Sequence, residues 1–571
     1  MIRLLVFALI VVPVVGLGFR ARRWRNADLR SLDEWALGGR RLGTFLTWFL
    51  LGGDLYTAYT FIAVPALIFG VGALGLFALS YTIIAFPVGF LLLPPLWRAC
   101  KRAGHLTVAD FVEERYASRF LPRAVALTGV MATVPYIALQ LIGLELAFPL
   151  LGLPPTSVFR DLPLALAFAL LAAFTVTSGL RAPILIAVVK DLLVYVLVLA
   201  LVVLVPASLG GWGHIFASVP RGKILLPEGH GSNLGPPAAF VTLAVGSALA
   251  LFLYPHAVTG ALGAKNDAAV RRNMMLLPAY SFVLGLLLLL GYAATVATFA
   301  GHPEAEAGLR AFGPDDAVPA LMLTILPRWL IGLGAAALVT GALVPASVMS
   351  IASANLLIGS FARRPSSDGT LRAGRDSRAA RRAALLVMTI ALLFVIAVPF
   401  TYAIDFQLLG GVWILQTLPA VALAFVRRRP PSSVVFLGLM VGLVSGTWWV
   451  ASTGFRGVIV TLSLGDLRVP CYAAIVALAL NLLVTCGGWF LGAVAGTSRR
   501  YSRCARSLDE VENLPAARSG NRAKPSELHH ADRAAPGLSG PLPYNEGTES
   551  VNKRTSGPTP RDEIAIATRS P

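Results

Sequence analysis

The sequence predicts an all-α polytopic membrane protein, about 13 transmembrane helices arranged around a five-plus-five inverted repeat. Three observations carry this expectation. Of the 571 residues, 56% are hydrophobic and only 13% charged. Apolar stretches of roughly 18–25 residues, enough to cross about 30 Å of hydrocarbon, recur along most of the chain. Finally, glycine interrupts two of these stretches at corresponding positions of two halves: Gly52-Gly53 in the second and Gly246-Ser247 in the seventh.

Taken in order, the spans begin near Leu4, Leu42, Ala73, Ala124, Leu162, Ile184, Ala238, Met274, Trp329, Ala383, Asp405, Val434 and Tyr472. Alternate threading collects 27 lysines and arginines on one side, in residues 20–41, 98–123, 181, 265–272, 363–382 and 427–429, against 8 on the other. Such an excess marks the cytoplasmic side, so the N-terminus is expected outside and the C-terminus inside. The first span carries its arginines after the apolar run and lacks a convincing small-residue cleavage site before Arg20, which favours a retained helix over a signal peptide.

Residues 1–41 then read as an extra helix with a basic loop, 42–182 as spans two to five, and 183–236 as span six with an outer loop. Residues 237–428 read as the second repeat, and 429–496 as two further spans. Spans two to six and seven to eleven are sets of five, and because five is odd the second set runs the opposite way through the bilayer. Thr107-Val-Ala-Asp110 opens a short surface helix with a capping pattern. The outer loop from His302 to Asp316 is acidic and is expected to continue into a short helix. Residues 497–571, rich in Ser, Pro, Gly, Arg and Glu, read as a disordered cytoplasmic tail too short for a kinase domain. Four scattered cysteines suggest neither a disulfide framework nor a zinc site. The net charge of +19 lies in the connections and tail. The expected partners are therefore the lipid bilayer and a small-molecule solute, with no nucleic acid.

Asp54 follows the first glycine pair inside an apolar run. A carboxylate at that depth costs about 2.5–3.5 kcal/mol on insertion scales. It either holds a cation or a proton, or caps amides freed by the break; both place it beside a site. In the ninth span Ser347 and Ser350 share a helix face after Pro345. Their hydroxyls suit a hard cation, or they are small residues for close packing with hydroxyls bonded back to the preceding turn. Lys190 is the one basic residue expected to be buried; it is expected to snorkel to the span's end while Asp191 turns inward as a gate or ion-pair partner. Tyr56, Tyr81, Gln140, Glu145, Gly246 and Gln416 are candidates to line a polar cavity, and Tyr254-Pro255-His256 is expected to close the seventh span. Asp315-Asp316 is a paired acid without a second pair, and no nucleophile elbow, phosphate loop or metal-ligand cluster appears, so no enzyme is expected.

Over roughly residues 1–497 the chain resembles the sodium:solute symporter family. The matching elements are Leu37-Gly38-Gly39-Arg40, Gly52-Gly53-Asp54, Thr107-Val-Ala-Asp-Phe with Arg115-Tyr116, Lys190-Asp191, Pro255-His256 and Val348-Met349-Ser350. The wording of 51–61 and 345–355 looks most like the bacterial branch that contains monocarboxylate permeases. The resemblance implies a ten-helix inverted-repeat (LeuT-like) core, a bacterial plasma-membrane location, and secondary transport by alternating access. It also implies a sodium site of backbone carbonyls at Gly52, Leu55 and Ser347, with hydroxyls at Ser350 and the next position. Here that next residue is Ile351, which offers only its backbone oxygen, while Ser347 or Ser353 would be a substitute donor. The expected function is symport of a small organic solute such as lactate or pyruvate, coupled to Na+ or H+ and needing no further cofactor. An amino-acid symporter and a solute sensor with a transporter-like bundle are the alternatives.

Overall fold

The computed structural model describes residues 1–21, 23, 31–53, 57, 59–153, 161–229, 233–362, 369–397 and 402–512. Met1–Tyr501 form one compact unit, which is the subject below. Its helices in chain order are α1 (Ile2–Arg20), α2 (Leu32–Leu37), α3 (Thr44–Gly53), α4 (Val64–Val71), α5 (Phe77–Ala103), α6 (Val108–Tyr116), α7 (Phe120–Glu145), α8 (Asp161–Ser178) and α9 (Arg181–Ser208). The second half contributes α10 (Gly235–Leu251), α11 (Pro255–Leu262), α12 (Asp267–Leu276), α13 (Pro278–Val296), α14 (Pro303–Phe312), α15 (Ala317–Ile325), α16 (Arg328–Leu357), α17 (Gly369–Ala397) and α18 (Ile404–Ile414). It ends with α19 (Ser432–Ser452) and α20 (Ala473–Glu512).

The protein is a multi-pass membrane protein, but length and apolarity do not yield thirteen spans. Ten helices among the described residues qualify, or eleven if the bent pair α10 and α11 counts as one span. The shortfall falls on short or interrupted pieces. α3 and residues 168–178 are too short to qualify alone, and Thr60–Ala103 is 44 residues long. A helix of that length would reach about 66 Å, twice the hydrocarbon thickness. Gly72, at φ +73°, breaks it between α4 and α5. A second departure is a β-hairpin between α19 and α20, β1 (Ile459–Leu464) with β2 (Leu467–Tyr472), turned by Gly465-Asp466. A third is that helical structure continues to Glu512, into the segment read as disordered; the rest of that tail, 513–571, lies outside the described residues.

The core is centred on α16, which is buried almost without interruption from Leu330 to Leu356. Its Gly, Ala and Ser residues let α1, α7, α9, α11 and α17 approach closely, the usual way helices associate when lipid removes the hydrophobic drive between them. The peripheral helices point bulky apolar side chains outward instead, among them Leu393 and Ile396 on α17, Trp448 on α19 and Leu483 and Phe490 on α20. Apolar groups on the outside are what a lipid solvent selects.

Inverted orientation is visible at one contact. The Leu42 N–H donates to the Gly263 carbonyl (3.1 Å), and the Lys265 N–H donates back to the Leu42 carbonyl (2.8 Å). Leu42 precedes α3 and Lys265 follows α11, so the second span begins where the seventh ends and the two run antiparallel. α6 carries the expected capping box. Its Thr107 hydroxyl accepts the Asp110 N–H (3.2 Å) and Asp110 Oδ2 accepts the Thr107 N–H (3.0 Å). Phe111 of this helix packs on Phe425, with ring centroids 5.0 Å apart.

The acidic loop before α16 forms the short helices α14 and α15 joined by a turn at Gly313–Asp316. Both acids of that turn are buried, and the Asp315 carboxylate accepts the Ala403 N–H at the head of α18 (3.0 Å). Burial pushes Asp315 up to about 7 against the pull of that N–H, and pushes Asp316 well above the carboxylate range, with Asp315 adding to it. The folded chain thus holds protons that the unfolded chain has released by about pH 4. Stability from these groups is present at low pH and declines as pH rises through the folded value near 7. Melting in detergent should therefore occur at lower temperature at about pH 8 than at about pH 5, and Asp315→Asn should flatten that slope. An unchanged slope in the variant would refute the assignment.

Candidate functional site

The second span is not one regular helix: α3 is described as far as Gly53, Thr57 lies in a bend, and a wide π turn at Tyr59–Ala63 leads into α4. Two glycines cost a helix about 0.8–1 kcal/mol each relative to alanine, and here Gly52 is needed for close approach. A Cβ on Gly52 would collide with the Tyr280 ring of α13. One on Gly53 would stand 3.3 Å from Lys190 Nζ. Asp54, Leu55 and Tyr56 lie outside the described residues.

Lys190 does not snorkel. It is fully buried and its ammonium donates to the Gly53 carbonyl at 2.8 Å. The same nitrogen stands 3.0 Å from Asp191 Oδ1, while Asp191 Oδ2 accepts the Tyr280 hydroxyl at 2.7 Å. The Tyr280 ring lies 4.5 Å from that of Trp48 and 6.3 Å from that of Tyr195. Asp191 therefore turns inward as expected, but toward the break. The physical reason is a specific acceptor: the buried Gly53 carbonyl takes the ammonium, and a lysine held by such a bond is not released to the interface. Lys190 is also not alone, because Arg40 and Arg181 are buried outside the spans' interiors. Arg181 donates to Glu34 (2.7 Å), and Arg40 donates to Asp33 (2.8 Å) and to the His105 carbonyl (2.7 Å).

The seventh span breaks later than expected. Gly246 lies in unbroken helix α10, where its missing side chain admits Tyr472 and Ile475. The chain bends by 43° between α10 and α11 instead. Pro255 explains this: it cannot donate to the turn before it, and it holds Tyr254 extended at φ −57°, ψ 136° while opening α11. Tyr254-Pro255-His256 is thus the break, not the span's close. The Tyr254 hydroxyl donates to the Gln407 carbonyl (2.8 Å); the Tyr136 ring meets its ring edge-on at 5.4 Å and the His256 ring lies tilted at 5.3 Å. α11 packs along α3, where Gly260 faces Leu51. An apolar pocket with room for about one water, ≈ 20 Å³, adjoins the bend between Leu253, Pro255, Gly129, Ala352, Leu356 and Ile414.

The remaining candidates divide. α16 stays helical through Pro345. The Ser347 hydroxyl donates to the Leu343 carbonyl (2.9 Å) and that of Ser350 to the Ala346 carbonyl (2.7 Å), the bonded-back arrangement. Ile351 is buried, while the Ser353 hydroxyl and both ends of the Asn355 amide are buried without a protein partner among the described residues. Tyr81 is buried, and Gln140 is buried with its amide donating to the Tyr136 carbonyl (3.4 Å). Glu145 is half-buried at the end of α7. Gln416 belongs to a structural joint rather than a cavity. Its amide donates to the Val412 and Ala474 carbonyls (3.0 and 3.2 Å), and Asn481 of α20 donates to its backbone carbonyl (2.8 Å). Sequence reasoning missed Tyr280 and Tyr195. The available signal was a phenol inside each of two apolar runs, where a hydroxyl needs a partner.

The model of the sodium:solute symporter family matches residues 35–444. The chain belongs to this family. The symporter is 44% identical over 485 residues to a monocarboxylate transport permease protein of Rhizobium johnstonii, covering 84% of this chain and 95% of that one. It is 34% identical over 448 residues to the uncharacterized symporter YodF of Bacillus subtilis, covering 77% and 86% of the two chains. Among solved structures, a Na+-coupled sialic acid symporter in a substrate-bound outward-open state superposes with a TM-score of 0.67 at 14% identity, over 86% of this chain and 98% of the other. That likeness establishes the inverted-repeat fold. Family membership makes the protein a cation-coupled solute symporter and not an enzyme.

Packing at the first break makes a direct prediction. Gly52→Ala should displace the Tyr280 ring and destabilise the protein by about 1–3 kcal/mol, the usual cost of overpacking. Tyr280→Leu costs stability of its own because Asp191 loses its donor, but the double variant should lose less than the sum of the two single losses, and additive losses would refute the contact.

Proposed function

We propose that the protein imports a small monocarboxylate, lactate or pyruvate in class, across a bacterial plasma membrane, with the N-terminus outside and the C-terminus in the cytoplasm. The observation that carries the reading is the antiparallel packing of two interrupted spans, α3 against α11, with a buried ion pair at the first interruption. Interrupted helices at the interface of inverted repeats are where transporters of this architecture hold solute and ion. The 44% identical permease supports the substrate class, and the distribution of basic residues supports the orientation.

A carboxylate is drawn to such a break by the helix end that faces it and by a nearby positive charge. The candidate ion ligands Gly52, Asp54, Leu55, Ser347 and Ser350 and the solute-lining or gating candidates Tyr56, Tyr81, Gln140, Glu145 and Asp191 belong to this proposal. Coupling follows from differential affinity: the ion favours the outward-open state, solute completes closure, and release inside resets the cycle.

Labelled pyruvate and lactate uptake into proteoliposomes, driven separately by inward sodium and proton gradients, tests the reading. Accumulation with either gradient supports it; accumulation with neither, alongside uptake of labelled amino acids, would replace the substrate class. Asp54→Asn should lose gradient-driven accumulation while keeping a wild-type melting profile. Full accumulation in that variant would remove Asp54 from the coupling site.

A further inference from the structure

We propose that solute leaves the break of the seventh span through the pocket beside that bend, and that α6 is the floor which lifts to let it out. The proposal takes from the reading above that this break lies on the transport path and that α6 lies on the cytoplasmic side. Pro255 lines the pocket at the bend, Thr259 one turn further along α11, and Thr107 and Val108 at the head of α6. Ala352 of α16 forms a small wall, and Thr417 adds a third hydroxyl side chain to those of Thr107 and Thr259. The pocket thus connects the bend to the surface helix. With ≈ 20 Å³ it holds about one water, too little for a three-carbon acid, so passage requires one wall to move.

The walls differ in how they are held. The other side of α11 is closed on α3, where Gly260 faces Leu51. There the Leu42 N–H and carbonyl are both bonded to the end of α11, through Gly263 (3.1 Å) and Lys265 (2.8 Å), so opening that seam breaks main-chain bonds. α7 and α16 are pressed together at the pocket: a Cβ on Gly129 would stand 2.8 Å from Leu356 and 3.1 Å from Pro255. α6 is attached more lightly. Among the described residues no backbone-to-backbone bond joins 107–117 to another element. Its capping box is internal and travels with it, Asp110 Oδ2 accepting the Leu106 and Thr107 N–H groups (2.9 and 3.0 Å). Outward, the Phe111 ring meets Phe425, and Arg429 donates to the Arg115 carbonyl at the exposed end (2.8 Å). The surroundings suit a departing anion. Residues 98–123 carry six lysines and arginines against three acids, Asp110, Glu113 and Glu114, and residues 427–429 add three arginines. A carboxylate emerging under α6 enters positive potential.

The experiment measures access from the α6 side. Thr259→Cys reports on the pocket and Leu51→Cys on the seam between α3 and α11; both positions are buried. Each is made in the full-length chain with its four cysteines replaced by serine. Vesicles with the α6 side outward receive a membrane-impermeant thiol reagent, without solute and with pyruvate. Thr259→Cys should react at least about tenfold faster than Leu51→Cys. Equal rates, a faster reaction at Leu51→Cys, or protection of both overturns the route. Arg429→Ala, which unties the far end of α6, should speed the reaction at Thr259→Cys about threefold. An unchanged rate overturns the role of α6. In the native-cysteine chain, Ala352→Leu fills the pocket. Pyruvate binding in detergent should then stay within about twofold while pyruvate exchange falls about tenfold. Full exchange overturns the route even where the serine background does not fold. If the wild type neither binds nor exchanges pyruvate, the substrate class fails, and the labelling ratio still decides the route.

Discussion

One backbone carbonyl organises much of this protein. At Gly53, the last described residue of α3, the backbone carbonyl accepts the buried ammonium of Lys190. That choice has a chain of consequences. The ammonium needs a counter-charge, which Asp191 supplies; the second carboxylate oxygen needs a donor, which Tyr280 supplies; and the Tyr280 ring needs room, which the bare Cα of Gly52 supplies. Three helices, α3, α9 and α13, are thereby locked to one another through a single polar group. Loss of any one member leaves the others buried without their partners, which is why such networks stand or fall together.

The same economy appears at the second break with different chemistry. There proline, not glycine, stops the helix, and the restraint on Tyr254 directs its hydroxyl to the Gln407 carbonyl of α18. Tyr472 does the same for the neighbouring Leu408 carbonyl from the end of β2. Two phenols thus serve the backbone of α18 beside its Gly410-Gly411 pair, where side chains would exclude them. The two halves of the molecule share an architecture while their breaks are satisfied by an ammonium in one and phenols in the other.

The sequence made the class of fold legible because lipid imposes length and apolarity on every span. It also marked the first break, since adjacent glycines before an acid have few other uses at that depth. It misplaced the second break because Gly246-Ser247 and Pro255 both interrupt an apolar run, and only packing shows that Gly246 makes room for Tyr472 whereas Pro255 bends the chain. Lys190 was misread for a related reason. Snorkelling is the rule for a lysine near a span's end, and the rule yields only to a specific acceptor, which lies 137 positions away in the chain. Gln416 looked like a cavity residue because an amide in an apolar run signals a partner without naming it; the partner is Asn481, in a helix outside the repeats.

The paired backbone bonds between Leu42 and the segment Gly263–Lys265 have a mechanical meaning. They rivet the start of one interrupted span to the finish of the other, so α3 and α11 cannot slide independently at that end. A pair joined at one end and interrupted at the other is a lever with a fixed pivot. Through these bonds the inverted halves, one contributing α3 and the other α11, are tied backbone to backbone at that end, so a tilt of either helix there has to be shared by the other.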